Sequence, residues 1–281
     1  MSTRINHNIL SLTAQRSIWK TQNNLDSSLT RLSSGLRVNY SWDDPAGLAI
    51  SERFRAQIAS MEEAERNANY NINLMATAEG ALQTIDDQLI RLRSLAVQAS
   101  NGALTSTDRV ALNTEYEQLT SEITRIASTV NYNGLNLLNG DFSNGGGNQG
   151  IKFHIGTMNE AAQDYYYVHM ASMTASALAI EGLDITNTLN AQNAIDSIDS
   201  AIELKDAERT RIGAYVNRLQ NTIQNLQIAS ENATASESQI RDTDVAAEMS
   251  DFVRAQILMQ TGVSMLSQAN MIPQIVSQLV G

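Results

Sequence analysis

Apolar side chains recur along this chain at helical spacing almost from end to end. Between about Thr3 and Leu36, Ile18, Leu25, Leu29, Leu32 and Leu36 fall on alternating three- and four-residue steps, with Gln22 filling one slot. Ser33, Ser34, Gly35, Asn39 and Asp43 break the stripe, after which Asp44 is placed to cap a helix that carries Pro45 at its first position. That helix is expected to run to about Asn101, where Asn101-Gly102 supplies the stop. Its second half keeps Ala78, Leu82, Ile85, Leu89, Leu92, Ala96 and Ala99 on strict four- and three-residue steps, the seam of a coiled coil. At about 1.5 Å per residue the helix would be roughly 80 Å long, which implies a rod. After a loop at Ala103 to Thr107, Leu112, Tyr116, Leu119, Ile123, Ile126 and Val130 repeat the seam, so a third helix returns along the second.

Asn131 to Gly150 is dense in Asn and Gly, including Asn133-Gly134 and Gly145-Gly146-Gly147, and reads as turns. Ile151 to Met158 and Tyr165 to Ala171 read as the strands of a β-hairpin. A last helical tract begins near Thr188, with Ile195, Ile198, Ile212, Val216 and Leu219 on a stripe that Lys205 and Arg209 interrupt. The pattern weakens over Ser236 to Thr243, resumes with Val245, Met249, Phe252, Met259, Val263 and Leu266, and closes on Ile275, Val276, Leu279 and Val280 after Pro273. A lone terminal helix cannot bury such a stripe, so the two ends are expected to pack on each other, on neighbouring copies, or on both. The fold class is mostly α: an elongated coiled-coil rod of N- and C-terminal helices with a small β-hairpin region.

Composition strengthens this picture, because two prolines in 281 residues permit long uninterrupted helices. A net formal charge of −11 argues against nucleic acid as a partner. The head is basic, with Arg4, Arg16, Lys20, Arg31 and Arg37 against Asp26 alone, whereas the tail sets Arg241 and Arg254 against Asp242, Asp244, Glu248 and Asp251. Such ends could attract each other, and ordinary solvated faces would account for the same charges. No stretch reaches the length and apolarity of a membrane span, and residues 1–20 hold no apolar run of secretory length, so any export is expected to need no cleaved signal. There is no cysteine. His7, His154 and His169 are scattered without an HExxH pair, Asp86-Asp87 reads as a solvated charge run, and the triple glycine lacks the Lys-Ser/Thr of a phosphate loop. No catalytic residue, cofactor or metal site is therefore expected, and Met61, Met75, Met249, Met259 and Met265 read as packing.

Three groups of motifs, in order along the chain, carry a family resemblance. The first is Arg4-Ile5-Asn6-His7-Asn8 and Leu32-Ser33-Ser34-Gly35-Leu36-Arg37, followed by Asp43-Asp44-Pro45-Ala46-Gly47-Leu48-Ala49-Ile50. The second is Thr77-Ala78-Glu79-Gly80-Ala81-Leu82 with Arg93-Ser94-Leu95-Ala96-Val97-Gln98-Ala99, and the third Ser238-Gln239-Ile240-Arg241-Asp242-Thr243-Asp244 with Leu266-Ser267-Gln268-Ala269-Asn270. Together they resemble bacterial flagellin over nearly the whole chain. Trp42, Pro45 and Gln239 depart from the residues usual in that family.

The resemblance implies a minimal two-domain subunit that polymerises into the helical, extracellular flagellar filament for motility. An inner terminal coiled-coil domain would comprise residues 1–44 plus 239–281, and a rod domain residues 45–238, with loop and hairpin at about 131–187 and no large outer domain. The inner core would be driven by Leu25, Leu29, Leu32, Met259, Val263, Leu266, Ile275 and Leu279, folding as it assembles, with Trp42, Asp43 and Asp44 in the inter-domain connector. Implied partners are further copies of the chain, the flagellar type III export apparatus, an export chaperone at the C-terminal tail, and the filament cap and hook–filament junction proteins. A vertebrate innate immune receptor would contact the rod at Arg91, Leu95 and Glu115. A hook–filament junction protein, and a secreted coiled-coil adhesin or binding module, are the competing readings.

Overall fold

The computed structural model describes residues 7–143 and 150–280, without the side chains of 272, 273 and 276–280. Arg4, Ile5, Asn6, the triple glycine, and the side chains of Pro273, Val276, Leu279 and Val280 therefore lie outside the described residues. Five helices and two strand pairs follow in the order α1 (Ile9–Ser34), α2 (Pro45–Ala99), α3 (Ser106–Thr129), β1 (Asn131–Tyr132), β2 (Leu135–Asn136), β3 (Ile151–His154), β4 (Tyr165–Val168), α4 (Thr188–Arg241) and α5 (Val245–Val280). By packing they form two units, Met1–Ile58 with Glu231–Gly281, and Ala59–Ser230. The division falls inside α2 and α4, which contribute to both units, rather than at the connectors.

Helix ends are set where the breakers stand. Gly35 closes α1 in the left-handed conformation at φ 74°, its N–H on the Arg31 carbonyl. Asp44 caps α2 by accepting from the Gly47 N–H at 2.9 Å, and a Cβ at Gly47 would overlap that carboxylate. Thr105 and Asp108 form a reciprocal capping box at the start of α3. Asn133 and Gly134, both at positive φ, make the tight turn that pairs β1 with β2. The predicted hairpin is present as β3 and β4, antiparallel with Phe153 opposite Tyr166, though its strands are shorter than expected.

The unit of residues 59–230 holds one continuous core. All seven coiled-coil positions predicted on α2, from Ala78 to Ala99, are fully buried in it, and α3 adds Tyr116, Ile123 and Ile126. The irregular segment 169–187 runs through the same core, burying Met170, Met173, Leu178, Ile180 and Ile185. Side chains of the helices around it accept three of its N–H groups, Ala175 donating to Thr124 Oγ1, Ile185 to Asn113 Oδ1 and Ala171 to Glu208 Oε1, while Met170 and Met173 donate to the Phe142 and Leu138 carbonyls. Bonds of this kind let irregular backbone lie inside a core.

Lys205 and Asp86 correct the sequence reading. Lys205 does not merely interrupt the α4 stripe; it is 2% exposed, with its ammonium on Asp86 of α2 at 2.5 Å and on Asp206 at 2.7 Å. Asp86 is accordingly no solvated charge, and Arg209 reaches both it and Glu79. Further along the same two helices Arg93 pairs with Asp199 and Gln227 bonds Glu65. As the α2 partner advances from residue 65 to 93 the α4 partner retreats from 227 to 199, so these contacts form a ladder that fixes one antiparallel register.

Candidate assembly surface

The unit formed by the chain ends is built on α1 and α5, and the predicted mutual packing of the two ends is present. The pair is antiparallel: Asn8 donates to the Ala269 carbonyl at 2.8 Å near one end, and Arg31 meets Glu248 at 3.6 Å near the other. The positions least exposed repeat every three or four residues, as Ile18, Thr21, Leu25, Ser28 and Leu32 on α1, and as Phe252, Ala255, Met259, Gly262, Leu266 and Ala269 on α5. Five of these eleven are small or polar, so the helices approach closely but enclose little apolar volume. Among the described residues of this unit, only Val38, Ala233 and Ala255 are buried apolar side chains.

The connectors between the helices are clamped together. The Arg37 N–H donates to the Arg241 carbonyl at 2.7 Å, the Thr243 N–H to the Gly35 carbonyl at 3.0 Å, and Leu36 bridges Asp242 antiparallel. The Arg37 guanidinium adds a bond to the Ile240 carbonyl, and Arg241 pairs with Glu52. Hydrogen bonds from Arg55, with a smaller contribution from Arg241, hold the Glu52 carboxyl below its ordinary range. Trp42, Asp43 and Asp44 all lie in this unit. Asp44 caps α2, and Asp43 pins the loop that carries Trp42.

The residues expected to form an inner core divide into two sets. Leu25, Leu32, Met259 and Leu266 are half-buried in the seam between α1 and α5, so their partners lie within the chain. Leu29, Val263 and Ile275 are more than half exposed, at 55%, 54% and 54%. Only the second set is free for another molecule. It belongs to a wider outer face with Ile9, Leu12 and Trp19 on α1, and Val245, Met249, Val253, Ile257 and Met265 on α5. A helix apolar on nearly every side is ordinarily enclosed by protein, and α5 is enclosed on one side only. Met249 and Met265 thus belong to an exposed surface, whereas Met61 and Met75 are core.

On the other unit, Leu95 is fully buried and offers no surface to a receptor, which corrects its reading as an apolar anchor. Arg91 and Glu115 are half exposed and paired with each other at 2.6 Å across α2 and α3. The histidines stay apart in use as in sequence: His154 stacks on Tyr165, while His169 lies beside Gly150. Among the described residues no helix is long and apolar enough to cross a membrane.

Residues 5–143 match the family model of the bacterial flagellin N-terminal helical region, and residues 195–280 that of the C-terminal helical region. The chain belongs to the bacterial flagellin family. It is 42% identical to the flagellin of Halalkalibacterium halodurans over 98% of this chain and 99% of that one. With flagellin FlaB2 of Treponema pallidum it shares 39% identity over 98% and 99%, and with the Bacillus subtilis flagellin 38% over 99% of each. Among solved structures it resembles a Vibrio parahaemolyticus protein described as flagellar hook-associated, at TM-score 0.54 and 16% identity, covering 71% of this chain and all of that one. That likeness concerns the fold alone. Flagellins are structural filament proteins, not enzymes, and this flagellin is a filament structural subunit.

Proposed function

We propose that this flagellin completes the folding of its terminal unit as it assembles, so that the uncovered faces of α1 and α5 become the wall of a filament core. The observation that carries this reading is α5, whose Val245, Met249, Val253, Ile257, Leu258, Val263 and Met265 are all largely exposed on a helix with one intramolecular partner. Burying one aliphatic side chain of this size contributes about 1.5–3 kcal/mol. Several per subunit add to what helix formation and the α1–α5 seam already contribute against the entropy of ordering both ends.

The same surface gives the export route its logic. Before assembly, an uncovered α5 invites aggregation, and an export chaperone covering the tail removes that hazard before the flagellar type III apparatus passes the chain. Cap and hook–filament junction proteins would then meet the same terminal unit. The test is negative-stain electron microscopy of monomer mixed with short filament seeds. Long filaments are expected; monomers that stay fully helical by circular dichroism and leave the seeds unextended would favour a junction protein or a secreted module.

A further inference from the structure

Tyr40 and Trp42 are held out to solvent on a loop that is otherwise tightly fixed. Trp42 is 75% exposed, and its ring stacks on Tyr40 with centroids 4.5 Å apart and planes 12° from parallel. Beneath them Asp43 Oδ2 accepts from the N–H groups of Asn39 and Tyr40 at 3.1 and 3.0 Å, and the Asp43 N–H returns to the Tyr40 carbonyl. Asn39 Nδ2 bonds the Leu36 carbonyl, and Leu36 is itself bridged to Asp242 in the connector clamp. The aromatic pair is therefore preorganised, and little side-chain freedom is lost when it is covered.

The same unit leaves a complementary surface open. Val245, Met249, Val253 and Ile257 follow one another at four-residue steps along the outside of α5, each at least 44% exposed. Residues at that spacing form a continuous ridge of the kind that packs into a facing groove. The ridge carries no charge, and a methionine sulfur favours contact with aromatic rings.

We infer that the Tyr40–Trp42 stack packs on the Val245–Ile257 ridge of a second copy of this chain, as a subunit contact of the filament; the inference rests on the assembly reading above. Both surfaces stay exposed within one chain, so neither covers the other there. A contact between two different surfaces of identical chains is heterologous, and passes from copy to copy instead of closing on a pair. That is the symmetry a filament requires. Large rigid aromatics at the centre of such contacts carry a disproportionate share of the binding free energy.

Three measurements test this contact. In a Trp19→Phe monomer, Trp42 is the sole tryptophan, and its emission is followed while native seeds are extended and polymer is quantified by sedimentation. A blue shift that grows with sedimented polymer is expected. Because the chain has no cysteine, Trp42→Cys and Met249→Cys subunits in the otherwise native background can be mixed, extended from seeds and oxidised. A mixed disulfide between chains is expected, and none when Met249→Cys is replaced by an Asp251→Cys control, exposed on the other side of α5. Trp42→Ala should raise the critical concentration about 10-fold or more. Filaments that grow with unchanged emission and without the Trp42–Met249 cross-link overturn this contact and leave the assembly reading standing. If native monomer leaves seeds unextended, the assembly reading fails first and takes the contact with it.

Discussion

Lys205 is a buried charge that ties α4 to α2. Burial alone would lower its affinity for a proton, but the hydrogen bonds it donates to Asp206 and Asp86 outweigh that and raise it, so the ammonium is kept charged inside. Removing one partner of a buried pair costs about 3–5 kcal/mol, whereas replacing both with apolar residues is often neutral. Since Asp86 retains some exposure and Asp206 remains, Asp86→Ala is expected to cost about 2–3 kcal/mol in guanidinium unfolding followed by circular dichroism. Lys205→Met with Asp86→Leu should recover most of that loss; a double variant as unstable as the single would show that the charge pair itself is required. Glu208 works in the opposite sense. Burial raises its carboxyl above 4.5 despite the Arg211 guanidinium against it, so the folded state holds the proton more tightly than the unfolded chain. Its contribution is fully present below pH 4.5 and lost as pH rises through the raised value. Glu208→Gln should therefore flatten the stability profile just above pH 4.5 and raise stability at pH 7, as thermal melts across that range would show. Neither role was legible in the sequence: Asp206 and Arg211 are near neighbours on α4, but Asp86 and the Ala171 N–H that complete the two sites come from segments distant in the chain.

At the scale of elements, much was legible. The caps at Asp44 and Gly35, the α2 seam from Ala78 to Ala99 and the Asn133-Gly134 turn follow from local chemistry, and the structure places them as that chemistry requires. Segment 169–187 was not legible as core, since Met170, Met173, Leu178, Ile180 and Ile185 follow neither helical nor strand period and are buried by tertiary packing alone. The terminal stripes were visible, but not their division into two faces. Gly262 and Val263 separate those faces in one experiment. A Cβ at Gly262 would stand 3.0 Å from Ile18 Cγ1, so Gly262→Phe should force α1 and α5 apart at a cost of about 1–3 kcal/mol. Amide exchange along α1 in the monomer would accelerate. Val263→Ser, one residue on, removes exposed apolar surface only. It should leave monomer exchange unchanged and raise the critical concentration for seeded growth about 10-fold, on the basis of about 1.5 kcal/mol for one lost valine burial. Equal effects of the two substitutions on monomer exchange would erase the distinction between seam and outer face.

For the whole molecule, the two units differ in what completes them. Residues 59–230 enclose their own core. The terminal unit has a seam but almost no enclosed apolar volume, and its outer face is the larger apolar surface. Stability and assembly should therefore be separable by truncation. Deleting residues 264–281 removes Leu266 and Ala269 from the seam, the Asn8–Ala269 hydrogen bond, and exposed Met265, Met271 and Ile275 from the outer face. Nothing in the core of residues 59–230 is touched. The truncated chain is expected to be a soluble monomer whose main thermal transition matches that of the full chain. It should lose helical signal beyond that of the deleted residues, because α1 then lacks its partner over the first turns, and it should fail to extend seeds. If it forms normal filaments, the tail is dispensable and the proposed coupling of terminal folding to polymerisation is wrong. If its main transition falls instead, the terminal helices support the core of residues 59–230 directly, and the independence of the two units fails.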